Sequence, residues 1–226
     1  MQFLRQVLVI TAKDLRAEIR TKEAVNSSLA FAVVILLLFS FAFDAFEDTA
    51  KEMSGGLLWI VFAFSGTLIL NRSFARELPN DCLDALISAP LSGAALFLGK
   101  ALGNFVLVLA VELISLPVFG IFSNVHWTQQ FWQLMLVLVL GTWAMTVVGT
   151  VFSALTVNIR LREVMLPMLT YPILVPALMA AMQLTMGLVL GKPIGPDTVM
   201  WLKMLIGFDV MYTAASVLLV ETVLVG

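Results

Sequence analysis

Six stretches of this sequence are apolar over lengths that fit a bilayer, and that leaves few folds open. A transmembrane helix needs about 20 mostly apolar residues. Residues 24–43 meet that length without a charge, residues 53–71 come close to it, and residues 101–125 carry the single charge Glu112. The uncharged run 127–159 is 33 residues long, roughly 50 Å as helix at about 1.5 Å per residue, and reads as one long or tilted span rather than two. Residues 164–191 contain Pro167, Pro172 and Pro176, and residues 198–225 hold Lys203, Asp209 and Glu221. The expected fold is an all-α integral membrane protein, a single transmembrane domain of six helices over residues 1–226.

Composition agrees. The chain is 61% hydrophobic and 12% charged, against about 45–50% and 25% for soluble domains. A net charge of −2 gives no sign of a nucleic-acid partner, and one cysteine, Cys82, excludes an internal disulfide and a cysteine-based metal cluster. Residues 1–23 interleave charges with apolar positions and lack a long apolar core. They read as an amphipathic interfacial helix on membrane lipid rather than a cleaved signal.

The longest polar interruption is residues 72–100. Arg72, Arg76, Glu77, Asp81 and Asp84 alternate there with Phe74, Leu78, Leu83, Leu86 and Ile87, broken by Pro79 and closed by Pro90. This is a short amphipathic helical pattern, suited to touching a soluble partner. In transporters driven by a separate ATPase subunit, such a coupling helix fits a groove of the ATPase; Arg76, Glu77, Leu83, Asp84, Leu86 and Pro90 are the candidate coupling residues. With the N-terminus inside, ten of the thirteen lysines and arginines fall on the cytoplasmic side, as the positive-inside rule favours. Six spans then return the C-terminus to the cytoplasm.

No Gly-rich loop ends in Gly-Lys-Ser/Thr, so ATP binding is expected in a partner subunit. Hydrolase and metalloprotease motifs are missing too, and there is a single histidine. The chain is expected to be neither an enzyme nor the holder of a metal or cofactor. Glu112 and Asp209 stand about 18 Å and roughly 16 Å into their spans. At such depth an ionisable group costs at least ~2.5 kcal/mol, so both are expected to face protein, either lining a cavity or packing at an interface. Pro167, Pro172 and Pro176 mark either a hinge or a fixed bend. His126, beside Trp127, is a weak candidate haem ligand; the alternative is an ordinary interfacial turn next to an aromatic belt of Trp127, Trp132 and Trp201.

Several segments resemble the haem exporter protein B (CcmB) family. They are Phe74-Ala75-Arg76-Glu77, Leu83-Asp84-Ala85-Leu86, Ser88-Ala89-Pro90-Leu91 and Leu98-Gly99-Lys100, followed by Leu140-Gly141-Thr142, Ala154-Leu155-Thr156-Val157 and the Pro172/Pro176 pair. Where many members have Asp-Gly after the acidic loop, this chain has Asn80-Asp81 preceded by Pro79. The resemblance implies a type-2 ABC exporter-like permease subunit for cytochrome c biogenesis in the bacterial inner membrane. It further implies an ABC ATPase, a second copy of the chain, small cytochrome-maturation subunits and a haem chaperone as partners, with haem as cargo of the complex. The alternatives are a permease for a polysaccharide, lipid or drug, or a non-transporting membrane scaffold.

Overall fold

Lipid offers no hydrogen bonds, so backbone amides in a bilayer must be paired within the segment. The structure, a computed structural model, describes residues 2–42, 48–78, 91–122 and 130–225, as backbone alone at 48–52 and 221–225. The described residues form seven α-helices: α1 (Gln2–Thr21), α2 (Glu23–Ala42), α3 (Asp48–Ser73), α4 (Gly93–Phe122), α5 (Phe131–Thr156), α6 (Arg162–Val189) and α7 (Val199–Val225). One turn of 3-10 helix follows α3 at Ala75–Glu77, and no strand occurs among the described residues. Helices α2 to α7 are long and apolar enough to cross a membrane.

Three boundaries differ from the sequence reading. Helix α3 begins at Asp48, five residues before the run 53–71. Helix α4 begins at Gly93, so residues 93–100, read as the end of the polar loop, are the first two turns of a span. Lys100 hid this, because a lone charge looks like an end until its counter-charges are known. Helix α5 covers 26 residues, roughly 39 Å at about 1.5 Å per residue, and is shorter than the uncharged run that contains it.

Helix α1 has too little apolar surface to cross a membrane and instead lies along the start of α4. Val7 and Ile10 are buried, and a Cβ added to Gly99 would stand 2.7 Å from the Ile10 Cβ, so the two backbones approach closely. A single residue, Lys22, joins α1 to α2 and takes a left-handed φ of 55°. Just before it, the buried Glu18 turns its carboxylate to accept the Val25 N–H at 2.9 Å. That satisfies one of the free amides in the first turn of α2 and places negative charge at the positive end of the helix.

Of the six spans, α3 and α5 have the largest share of buried residues, and α2 and α7 the smallest. In the centre, the fully buried Trp59 of α3 covers Gly141 of α5, where an added Cβ would lie 2.1 Å from the indole Cη2. Its Nε1–H donates to Thr185 Oγ1 of α6 at 2.9 Å. One side chain thus ties three helices, by contact to a small residue and by a polar bond, the two devices that hold helices together in lipid. Helix α6 runs without a break through Pro167, Pro172 and Pro176; Pro172 and Pro176 lie on its exposed face, where their rings intrude on no packed layer.

The Trp59 contact yields a test. Gly141→Ala is expected to cost about 1–3 kcal/mol through overpacking, read as a lower midpoint of thermal unfolding in detergent. Gly56→Ala, where an added Cβ meets nothing within 4 Å, should leave the midpoint unchanged or slightly higher.

Candidate functional site

The end of the bundle where α3 finishes and α4 begins collects most of the charge. Lys100, two turns into α4, is 1% exposed. Its ammonium donates to Glu77 Oε1 at 2.7 Å and to the Ser73 carbonyl at 3.0 Å, lies 3.1 Å from Asp14 Oδ2, and stands over the Phe74 ring at 5.4 Å. Lys13 of α1 also donates to Glu77 and lies 3.3 Å from Asp14. Arg76 donates to Glu18 of α1. Three cations and three carboxylates cancel, as a buried charge group must if it is to be tolerated.

The geometry follows from local sequence. Residues 7, 10, 14 and 18 share one face of α1 at helical spacing, with Val7 and Ile10 at one end and Asp14 and Glu18 at the other. The face that packs on α4 therefore carries both acids to where Lys100 and Arg76 meet them. Half-burial opposes the charge on Lys13, but its hydrogen bond to Glu77 and the field of Asp14 outweigh this and raise its pKa above the ordinary lysine value. A second polar layer lies deeper: Asn104 donates from Nδ2 to Ser73 Oγ and Thr150 Oγ1, both at 2.9 Å.

Beside the cluster, a groove of about 730 Å³ opens between α2, α3 and α6. Phe31, Phe64 and Tyr171 line its wall, and Arg72, Arg76 and Arg162 stand around it. Phe64 meets Tyr171 edge-on at 5.3 Å, and Arg72 is held by Glu23 at 2.7 Å.

Of the candidate coupling residues, the structure turns Glu77 inward, 9% exposed, and pairs Arg76 with α1. Leu83, Asp84, Leu86 and Pro90 lie outside the described residues, as does His126. Glu112 is fully buried and accepts from Thr142 Oγ1 through Oε2, while its Oε1 has no partner among the described residues. Asp209 is 7% exposed, and neither carboxylate oxygen has a partner there. The parts of Lys13 and Asp14 escaped the sequence reading because their partners lie 64 and 86 residues away. The groove escaped it because α2, α3 and α6 meet only in three dimensions.

These features define a polytopic membrane protein, all-helical among the described residues, whose polar machinery gathers at one end. The family described as "CcmB protein" matches residues 5–222. Heme exporter protein B of Rhodobacter capsulatus is 30% identical over 175 residues, covering 77% of this chain and 80% of that protein. The Paracoccus denitrificans protein of that name is 31% identical over 166 residues, 74% and 76% of the two chains, and the Haemophilus influenzae one 24% over 202 residues, 88% and 90%. The chain belongs to the CcmB family. It is accordingly the membrane permease subunit of the ABC transporter of cytochrome c maturation, not a catalytic subunit.

The ionic cluster is open to direct test. Lys100→Met keeps most of the side-chain volume but leaves Glu77 and Asp14 to share Lys13 alone, and is expected to cost about 3 kcal/mol. Adding Glu77→Gln should recover part of the lost thermal stability, because fewer buried charges are then unpaired. The double variant measured against both singles isolates the pair.

Proposed function

We propose that two copies of this chain work with a separate ATP-binding subunit, and that the segment 79–90 is the coupling element that meets it. The single observation that supports this reading is the position of the ionic cluster, directly before the segment at Glu77 and after it at Lys100. Motion of the segment passes along short, charge-assisted contacts to α1, α3 and α4, so a displacement by the ATPase moves three helices at once. In this reading both termini face the cytoplasm, an orientation favoured by the clustering of Arg72, Arg76, Arg160 and Arg162 at this end. The relatives' name, heme exporter protein B, suggests haem as cargo of the assembled complex, moved outward or released on a loaded chaperone. Small cytochrome-maturation subunits complete the assembly in this reading. In this reading α6 hinges at Pro167, Pro172 and Pro176, which lack an amide donor for the helix, and Glu112 holds α4 to α5 through Thr142.

Two variants separate docking from coupling. Leu86→Asp, in the segment, is expected to weaken co-purification of the ATPase roughly tenfold or more, the effect of removing an apolar anchor at an interface. Glu77→Gln, in the cluster, is expected to leave co-purification intact while lowering cytochrome c maturation. Unchanged co-purification with Leu86→Asp would remove the segment from the interface.

Haem ligation is assigned in this reading to a partner subunit, since the chain offers a single histidine. His126→Ala should therefore leave haem co-purifying with the complex and c-type cytochromes maturing. Loss of both, with the chain still inserted and bound to its ATPase, would place a haem site here.

A further inference from the structure

We propose that the groove at Asp209 receives a transmembrane helix from a different subunit, one that carries a lysine or arginine at the same depth in the membrane. The groove holds about 620 Å³ between α5 and α7, with Trp143 on one side and Val210, Thr213, Val217 and Leu218 on the other. Asp209 lines it, and its two carboxylate oxygens are buried without a hydrogen-bond partner among the described residues. The other polar groups there satisfy each other, for Trp143 Nε1–H donates to Thr213 Oγ1 at 3.0 Å. One acceptor group is left over in an apolar wall, and a bilayer supplies no donor to meet it.

Depth follows from neighbouring contacts. Asp209 shares the groove with Trp143, and Glu112 is bonded to the adjacent Thr142, so both acids stand at one level. That level is eleven to twelve residues into α5, roughly 17–18 Å from its start and so near the middle of the span. The two acids nevertheless differ. Glu112 is enclosed by its own chain, whereas Asp209 lies in a groove whose edge residues Val210 and Leu218 are 66% and 78% exposed. The small, exposed Ala214 between them lets another backbone come close.

A second copy of the chain does not fit this place. Rotation about an axis along the membrane normal, the usual symmetry of membrane oligomers, keeps every residue at its own depth. Among the described residues the lysines and arginines of the span helices are Lys51, Arg72 and Arg162, each in the first or last turn of its helix, Lys100, consumed by the ionic cluster, and Lys203. Lys203 lies six residues before Asp209, roughly 9 Å closer to the start of α7. The missing cation must come from a helix of other sequence.

The test uses the full-length chain in lipid vesicles and two synthetic helical peptides, Leu/Ala hosts of about 23 residues with either Lys or Leu at the centre. Energy transfer from a donor dye on α7 should show the Lys-centred peptide binding about tenfold more tightly than the Leu-centred one, the scale of an interhelical polar bond in lipid. Asp209→Leu should abolish the difference, and Asp209→Lys should transfer the preference to a Glu-centred peptide. As a fold control, Asp209→Leu should be at least as heat-resistant as the natural chain, since it removes a stranded polar group; Asp209→Asn repeats the comparison with the shape kept. Equal binding of both peptides, or severe destabilisation by both substitutions, would overturn the proposal. So would a photo-crosslinker placed at Val210 that joins the chain to a second copy of itself.

Discussion

A lysine ammonium buried to 1% exposure is tolerated because two carboxylates and a carbonyl surround it, and the end of the bundle is arranged to supply them. Lys100 requires Glu77, which fixes the turn after α3, and Asp14, which fixes α1 against α4. Its surroundings also determine that Gly99 must be small, because Ile10 arrives in the same stroke. Remove the lysine and three elements lose the reason for their mutual placement. Such a group contributes specificity of arrangement more than net stability, since taking the charges out of water offsets much of their attraction.

Further along the spans, where charge is scarce, other forces take over. Apolar side chains gain nothing by leaving lipid for protein, so close contact and isolated polar bonds must hold the helices. Trp59 against Gly141, Leu70 against Gly149 and the Ser153 hydroxyl on the Leu70 carbonyl at 2.8 Å are of this kind. All three sit on α3 or α5, the central pair, and the peripheral helices pack around them.

How much of this was legible in the sequence depends on the range of the interaction. The spans were, because an apolar run long enough for a bilayer is a local signal; α2, α3 and α6 lie within a few residues of the runs that predict them. The start of α4 was not, since Lys100 reads as a boundary unless Glu77 and Asp14 are known to neutralise it. The acids at 112 and 209 were visible as costly residues, but nothing local told the enclosed one from the one on a groove. That difference rests on whether a donor such as Thr142 meets the carboxylate, which only the packing of the helices decides. Glu77 looked like surface for the same reason, its counter-charges lying on α1 and α4.

The elbow at Lys22 has a mechanical meaning. One residue between two helices leaves no slack, and the left-handed turn there is pinned from within by Glu18, whose carboxylate grips the first turn of α2 and Arg76 together. Helices α1 and α2 are thereby joined as the two arms of a bracket. A tilt of α1 must reappear as a tilt of α2, and over the roughly 30 Å length of α2 a rotation of a few degrees at the elbow displaces its far tip by more than an ångström.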